Sequence, residues 1–237
     1  PLRMVLERWR EWDRGAAQRV DRYVACSQLT ASRVRRHFDR EAHVLHPPVE
    51  LHRFWPGDVG EHYLVVAELM AHKRIDVAVE AFNRLGLPLV VVGDGPEGRR
   101  LRRLAGPTVT LTGRLGDPEV ADLMRSARAL VVTAAEEFGI AAVESLASGR
   151  PVIALGAGGV LESVSAGETG VYYDASDPKA LAAAVAGFDP LAVDPATCVA
   201  ASRRFTVPRF QHALHALVDE AVAAREPVDD ARRVAAG

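Results

Sequence analysis

Two carboxylates flank a predicted helix start in the middle of the chain. An apolar run at 129–133 is followed by Glu136 and Gly139, and the helical pattern after Gly139 carries Glu144. A buried strand, an acidic loop and a helix that begins at glycine are typical of a ligand site at the carboxyl end of a parallel strand. The amides of Gly139 and Ile140 lack intrahelical acceptors and lie at the positive end of the helix dipole, so we expect them to bind an anion.

The spacing of the two acids indicates what kind of anion to expect. Glu136 precedes the helix, whereas Glu144 lies roughly 7–8 Å further along the helix axis at the usual rise per residue. A ligand with a charged middle and hydroxyl-rich groups on both sides fits such a site. A nucleotide diphosphate sugar has this shape.

Lys73 and Arg74 lie where another predicted strand turns into its helix. A cation at a helix N-terminus opposes the helix dipole by roughly 0.3–1 kcal/mol. Two adjacent cations therefore suggest an anion that they share with the helix end. The alternative is that both side chains are exposed to solvent and merely tolerated.

Three further loops follow predicted strands and are candidates for ligand contact. Gly93, in G-D-G-P, allows close backbone approach, although a plain tight turn explains it equally well. Arg114, followed by Leu115, is suited to a phosphate or a base. Gly158 and Gly159 let backbone amides approach a ligand. The chain has no G-x-G-x-x-G fingerprint, so classical dinucleotide binding is not indicated.

Other reaction classes find little support in the sequence. The eight histidines show no metal-ligand spacing, and no G-x-S-x-G nucleophile elbow is present, so neither a metal site nor a cofactor is expected. Paired acids about 5–10 Å apart are typical of glycosidases. A hydrolase, however, has no use for anion-binding amides between its two acids.

The composition is that of an ordinary soluble globular protein, with 49% hydrophobic and 25% charged residues. A net charge of −2 gives no reason to expect nucleic acid as a partner. Isolated Cys26 and Cys198 are typical of reduced thiols, which favours a cytoplasmic location. The sequence shows neither a signal peptide nor an apolar run near the ~20 residues of a membrane span, and it begins at Pro1, so we expect a piece of a longer chain. Arginines in the predicted helix Gln28 to Phe38 suit either a solvated face or the acidic lipids of the inner membrane face.

The order of elements predicts an α/β fold. Residues 2–20 show helical spacing, and Ser27 is a suitable cap for the helix that follows it. After Pro47-Pro48 and an irregular run to Gly60, strands and helices alternate six times. The strands are continuous apolar runs, which is typical of a Rossmann-like, doubly wound parallel sheet covered on both faces. The six strands are expected at 63–67, 89–92, 109–112, 130–133, 152–155 and 171–173.

The motifs resemble those of retaining glycosyltransferases of family 4, which have the GT-B fold. E-E-F-G-I-A-A-V-E, from Glu136 to Glu144, is similar to the E-x(7)-E motif of that family. H-K-R-I-D-V-A-V-E-A-F, V-V-V-G-D-G-P and L-T-G-R-L precede it, and G-R-P-V-I-A follows it, in the family's order. The resemblance covers roughly Asp21 to Val222, and the E-E-F-G-I variant looks most like a mannosyltransferase branch.

This resemblance implies a domain plan and a reaction. Residues 61–205 would be the C-terminal, nucleotide-sugar donor domain, after a linker at 47–60. Residues 1–46 would be a remnant of the N-terminal acceptor domain, and 206–237 a crossover helix and tail. The implied activity is transfer of a hexose from GDP-mannose or a UDP-hexose to a glycan or lipid-linked saccharide, with retention and without metal or protein nucleophile. The fragment alone would be weak or inactive.

The resemblance also implies roles for single residues. Lys73 with the Gly139 and Ile140 amides would face the diphosphate, and Glu136 the 3-hydroxyl side of the transferred sugar. Glu144 would hold the ribose hydroxyls. The backbone near Arg114 and Leu115 would meet the base, and the rest of the donor site would be formed by Arg74, Gly93, Phe138, Gly158 and Gly159.

Glu68 departs from the family pattern, which usually has Arg five residues before the Lys. A carboxylate near a diphosphate repels it unless the side chain points away or pairs with Arg74. Arg74 or Arg114 would then replace the missing cation, or donor binding would be weak. The alternatives are a non-catalytic nucleotide-sugar-binding module and a nucleotide-sugar epimerase of related architecture.

Overall fold

The computed structural model describes residues 2–224, which separate into two units. Residues 2–46 and 207–224 form the first unit, and Pro47–Thr206 form the second. The helices are α1 (Leu2–Ala17), α2 (Gln28–Phe38), α3 (Ile75–Leu85), α4 (Gly98–Leu104), α5 (Asp117–Ser126), α6 (Ile140–Ala147), α7 (Pro178–Gly187), α8 (Pro195–Ser202) and α9 (Val207–Ala223). The strands are β1 (Tyr23–Ala25), β2 (Ala42–Val44), β3 (Tyr63–Val66), β4 (Leu89–Val92), β5 (Val109–Gly113), β6 (Leu130–Val132), β7 (Val152–Leu155) and β8 (Gly170–Tyr173).

The first unit pairs β1 with β2 in parallel and adds α1, α2 and α9. The predicted cap of α2 is confirmed, because the Thr30 amide donates to Ser27 Oγ at 3.1 Å. Most of α1 is exposed, including Trp9 and Trp12. From residue 2 to residue 224, no helix has both the length and the apolar content that crossing a membrane requires.

The second unit is built on six parallel strands in the order β5-β4-β3-β6-β7-β8. Chain order therefore runs outward from β3 in one direction and then outward from β6 in the other. This is the strand order of a Rossmann-like fold, and it confirms the doubly wound sheet expected from the sequence. Helices cover both faces, so all three residues of β6 are buried.

Two hydrophobic clusters fill the space on either side of this sheet. Phe82 of α3 and Leu181 of α7 are fully buried in one of them. Met124 of α5 and Leu146 of α6 are fully buried in the other. Each such side chain contributes about 1.5–3 kcal/mol by leaving water, so the sheet is a rigid support for the loops at its edge.

The segment 47–60, expected to be a linker, groups with the second unit. Phe54 is only 7% exposed and belongs to one of the two core clusters. The Arg150 guanidinium donates to the Gly57 carbonyl and, at 2.8 Å, to the Arg125 carbonyl. Buried side chains and hydrogen bonds thus attach these residues to the sheet domain.

Two helix starts depend on local geometry that residue preference alone does not specify. Gly116 is the N-cap of α5, and the Glu119 side chain accepts from the Gly116 amide at 2.9 Å. α3 begins at Ile75, since Arg74 adopts a left-handed conformation with φ of 52°.

Candidate functional site

The chain order of the large sheet reverses between β3 and β6, where open α/β sheets bind ligands. A cavity of about 110 Å³ lies at this position, and we call it the switch-point cavity. Its polar lining brings together residues that the sequence places in three separate segments: Lys73, Thr133, Glu136, Gly139, Ile140 and Ala141. Four of the predicted donor-site residues therefore meet at one point.

Lys73 and Glu136 form an ion pair inside the switch-point cavity. Lys73 Nζ donates to Glu136 Oε2 at 2.5 Å, and the two side chains are 23% and 24% exposed. Thr133 Oγ1 donates to the Lys73 carbonyl at 2.6 Å, so the end of β6 fixes the backbone of the lysine. The cavity thus holds a positioned cation whose present partner is a carboxylate.

The N-terminus of α6 forms another wall of the same cavity. Gly139 is its N-cap with φ of 92°, a conformation that favours glycine. The first intrahelical contact is from the Ala142 amide to the Gly139 carbonyl at 3.0 Å. The amides of Gly139, Ile140 and Ala141 precede it and have no acceptor within the helix. Together with Lys73 they provide the donors and the positive potential of an anion site.

Gly158 and Gly159 pack against the loop that carries Glu136. The Gly159 amide donates to the Glu136 carbonyl at 2.7 Å. A Cβ on Gly159 would lie 2.3 Å from the Glu137 carbonyl oxygen, and one on Gly158 would lie 2.5 Å from that of Glu136. The glycines are thus required for contact between two loops, which positions Glu136.

Phe138 anchors the same loop from beneath. Its side chain is 4% exposed and packs edge-on against Phe205, with ring centroids 5.2 Å apart. The ring faces the protein interior, so only the backbone of Phe138 remains for the ligand contact predicted from the sequence.

Glu144 lies mostly buried on α6 beyond the helix start. Burial raises the pKa of its carboxyl group, the charge of Arg53 opposes this shift, and Asp117 adds to it. The Arg53 guanidinium binds Asp117 at 2.8 Å and Glu50 at 3.4 Å. Arg53 was not among the predicted site residues, because its link to Glu144 depends on how the segment 47–60 packs.

A second cavity, of about 450 Å³, lies at the carboxyl ends of β3, β4 and β5. We call it the lateral cavity. It brings the predicted Gly93, Arg114 and Leu115 together with Glu68 and Asp94. A Cβ on Gly93 would lie 1.9 Å from the Ala67 carbonyl oxygen, so this glycine is required where β3 and β4 come into contact.

Arg74 is directed away from these two cavities and lines neither of them. Its guanidinium contacts Asp76 at 3.3 Å and the Ser176 carbonyl at 3.5 Å. Glu68 does not pair with it and lines only the lateral cavity. Within residues 2–224, no three His, Cys, Asp or Glu side chains are grouped so that they could hold a metal ion.

Sequence comparison finds relatives among known glycosyltransferases. D-inositol 3-phosphate glycosyltransferase 1 of Catenulispora acidiphila is 31% identical over 195 residues, which are 68% of this chain and 44% of that protein. The GDP-mannose-dependent alpha-mannosyltransferase of Corynebacterium glutamicum is 29% identical over 183 residues, again 44% of its length and 71% of this chain. The chain thus spans less than half the length of these curated relatives.

Solved structures show the same fold. Anabaena HepE in complex with UDP and glucose superposes with a TM-score of 0.77 at 20% identity, covering 86% of this chain and 64% of that one. The expected fold is therefore confirmed: a parallel sheet flanked by helices, with GT-B glycosyltransferases as structural neighbours. A family model described as "Glycosyl transferases group 1" matches residues 60–188, which contain both cavities and the predicted motifs. The chain belongs to the group 1 glycosyl transferases.

Proposed function

We propose that this chain is the donor-binding part of a retaining glycosyltransferase. The donor is a nucleotide diphosphate sugar, GDP-mannose or a UDP-hexose, and the acceptor is a glycan or lipid-linked saccharide. One observation carries the proposal: the switch-point cavity joins Lys73, Glu136 and the α6 N-terminus. A cation and unpaired amides suit a diphosphate, and an adjacent carboxylate suits a sugar hydroxyl.

Lys73 and the α6 N-terminus would stabilise the leaving group. When the sugar departs, negative charge grows on the diphosphate, and fixed donors in a partly water-excluded site favour that state without reorganising. The ion pair of Lys73 with Glu136 would open as the donor binds. Lys73 Nζ would then turn to the diphosphate, and Glu136 Oε2 would accept from the 3-hydroxyl side of the sugar.

Glu144 would accept hydrogen bonds from the two ribose hydroxyls. A carboxylate has two oxygens and can accept from neighbouring hydroxyls at the same time. This role requires the ionised form, which burial disfavours and the charge of Arg53 favours. Arg53 would therefore be a positioning residue that keeps Glu144 charged.

The relatives support a nucleotide-sugar donor but differ in its identity. HepE was solved with UDP and glucose, and the corynebacterial relative is named as GDP-mannose-dependent. Retention, the acceptor, peripheral membrane contact and a cytoplasmic location are part of the proposal for the whole protein.

A non-catalytic nucleotide-sugar-binding module is the second candidate, because Glu68 occupies the position where the family usually has Arg. Calorimetry with GDP-mannose and UDP-glucose tests the donor site that both candidates share. Binding of neither donor would contradict both. Donor turnover by the natural protein that contains this chain separates the two: transfer with retained anomeric configuration supports the enzyme, and binding without turnover with any acceptor favours the module.

A further inference from the structure

Glu68 is an exposed residue that lines the lateral cavity just after β3. Among the described residues, its side chain has no hydrogen-bond or ion-pair partner. It is absent from the lining of the switch-point cavity, where a negative charge would oppose a diphosphate. The two cavities adjoin, because Val66 and Ala67 line both of them. A ligand whose diphosphate occupies the first cavity can thus extend into the second.

The lateral cavity suits a flat heteroaromatic ring. Val92, Leu115 and Val120 supply apolar walls, and Glu68, Asp94 and Arg114 supply the charged groups. The Gly93 amide donates to the Gly113 carbonyl at 2.9 Å, which fixes the strand ends beneath the cavity. An apolar slot with a few polar groups is the usual form of a small-molecule site.

Three charged residues line this cavity, and one of them, Asp94, already accepts a hydrogen bond from the Gly95 amide at 2.8 Å. Glu68 and Arg114 remain to select among the bases. A carboxylate only accepts hydrogen bonds, so it prefers a base edge with two neighbouring donors. Guanine offers N1–H beside its N2 amino group, whereas uracil has one N–H between two carbonyl oxygens, which repel a carboxylate. Adenine and cytosine place a ring nitrogen lone pair beside their amino group. Arg114 borders the same cavity and complements guanine O6 and N7.

We infer that Glu68 is a specificity residue that selects guanine, so the donor is a GDP-sugar. The carboxylate accepts from N1–H and N2–H, and Arg114 donates to the opposite side of the base. Glu68 thus places an anion that recognises the base at a position where the family usually has a cation that binds phosphate. The inference rests on the proposed function, because it requires the donor diphosphate to lie in the switch-point cavity.

Calorimetry with GDP, IDP and UDP on the wild-type chain, Glu68→Ala and Glu61→Ala tests this assignment. Glu61 is a matched control, since it is an exposed glutamate at the opposite end of β3. We expect GDP to bind at least about tenfold more tightly than UDP, with IDP between them because it lacks the N2 amino group. Glu68→Ala should weaken GDP at least about tenfold and change UDP less than about twofold, whereas Glu61→Ala should change neither.

Two results would overturn the inference and leave the donor site intact. One is equal affinity of the wild-type chain for GDP and UDP. The other is that Glu68→Ala changes the affinities for GDP and UDP by the same factor. The second result would mean that Glu68 acts on the diphosphate by charge alone. Failure of all three nucleotides to bind the wild-type chain would instead overturn the proposed function. A melting temperature of Glu68→Ala equal to that of the wild-type chain would show that the substitution leaves the fold unchanged.

Discussion

The switch-point cavity and the lateral cavity lie side by side but are built differently. In the first, the two charged side chains pair with each other at 2.5 Å, and backbone amides supply the other donors. In the second, Glu68 and Arg114 are exposed side chains around apolar walls. The first cavity thus depends on backbone geometry, whereas the charges of the second belong to exposed side chains that can change without disturbing the fold.

The largest effect is expected at Gly159, which packs against the loop that carries Glu136 to the switch-point cavity. Gly159→Ala places a Cβ 2.3 Å from the Glu137 carbonyl oxygen and 2.4 Å from Phe138 Cα. We expect a loss of about 2–4 kcal/mol in the free energy of unfolding, measured by urea denaturation. Gly187→Ala is the control, because its Cβ would meet nothing within 4 Å. Equal stability of the two variants would show that the loop contact is not restrictive.

Removal of the Lys73 cation should have the next largest effect, and we expect this effect to be confined to binding of the diphosphate. Lys73→Ala should weaken binding of a nucleoside diphosphate about 30-fold, as expected for a charged hydrogen bond worth about 2 kcal/mol. The chain's other lysine, Lys179, is exposed on α7, so Lys179→Ala is the matched control for calorimetry. Unchanged affinity in Lys73→Ala would remove Lys73 from the diphosphate site.

Glu136→Gln should distinguish binding of the sugar from binding of the diphosphate in the switch-point cavity. The change releases Lys73 from its partner, so a nucleoside diphosphate without sugar should bind as tightly as before or up to about tenfold more tightly. The intact nucleotide sugar should gain less or lose affinity, because the amide is a poorer acceptor for its hydroxyl. Equal gains for both ligands would show that Glu136 does not contact the sugar.

The smallest effect concerns pH and Glu144. Burial raises the pKa of this carboxyl above its ordinary value of 4.5, so the folded chain keeps the proton longer than the unfolded chain does. That contribution to stability is complete below 4.5 and is lost as the pH rises through the raised pKa. In Glu144→Gln the free energy of unfolding should therefore fall less steeply as the pH rises from 4.5 through the raised pKa, as measured by unfolding at a series of pH values. An unchanged profile would contradict the shift.

The local part of the site could be predicted from the sequence. The strand, acidic loop and helix at 129–149 are consecutive, so their residue types predict the helix start at Gly139 that borders the switch-point cavity. Arg53 could not be predicted, because its influence on Glu144 comes from packing between distant segments. Gly158 and Gly159 are predicted to let a ligand approach, and the structure shows in addition that they let the Glu136 loop approach closely. A glycine in the sequence indicates that another backbone comes close, but it does not identify the segment that approaches.

The surroundings of Glu68 also could not be predicted from the sequence and depend on how the chain folds. The sequence shows a carboxylate where a cation is usual, which predicts repulsion of the diphosphate. The structure assigns this side chain to the lateral cavity, beside Arg114 and Leu115. The departure from the family pattern therefore lies at the lateral cavity and not at the switch-point cavity.

A crystal structure of this chain bound to GDP would show directly where the diphosphate lies. We expect the diphosphate to accept from the Gly139 and Ile140 amides and from Lys73 Nζ, with the contact between Lys73 and Glu136 broken. A diphosphate bound elsewhere, with that 2.5 Å contact intact, would rule out the switch-point cavity as the diphosphate site.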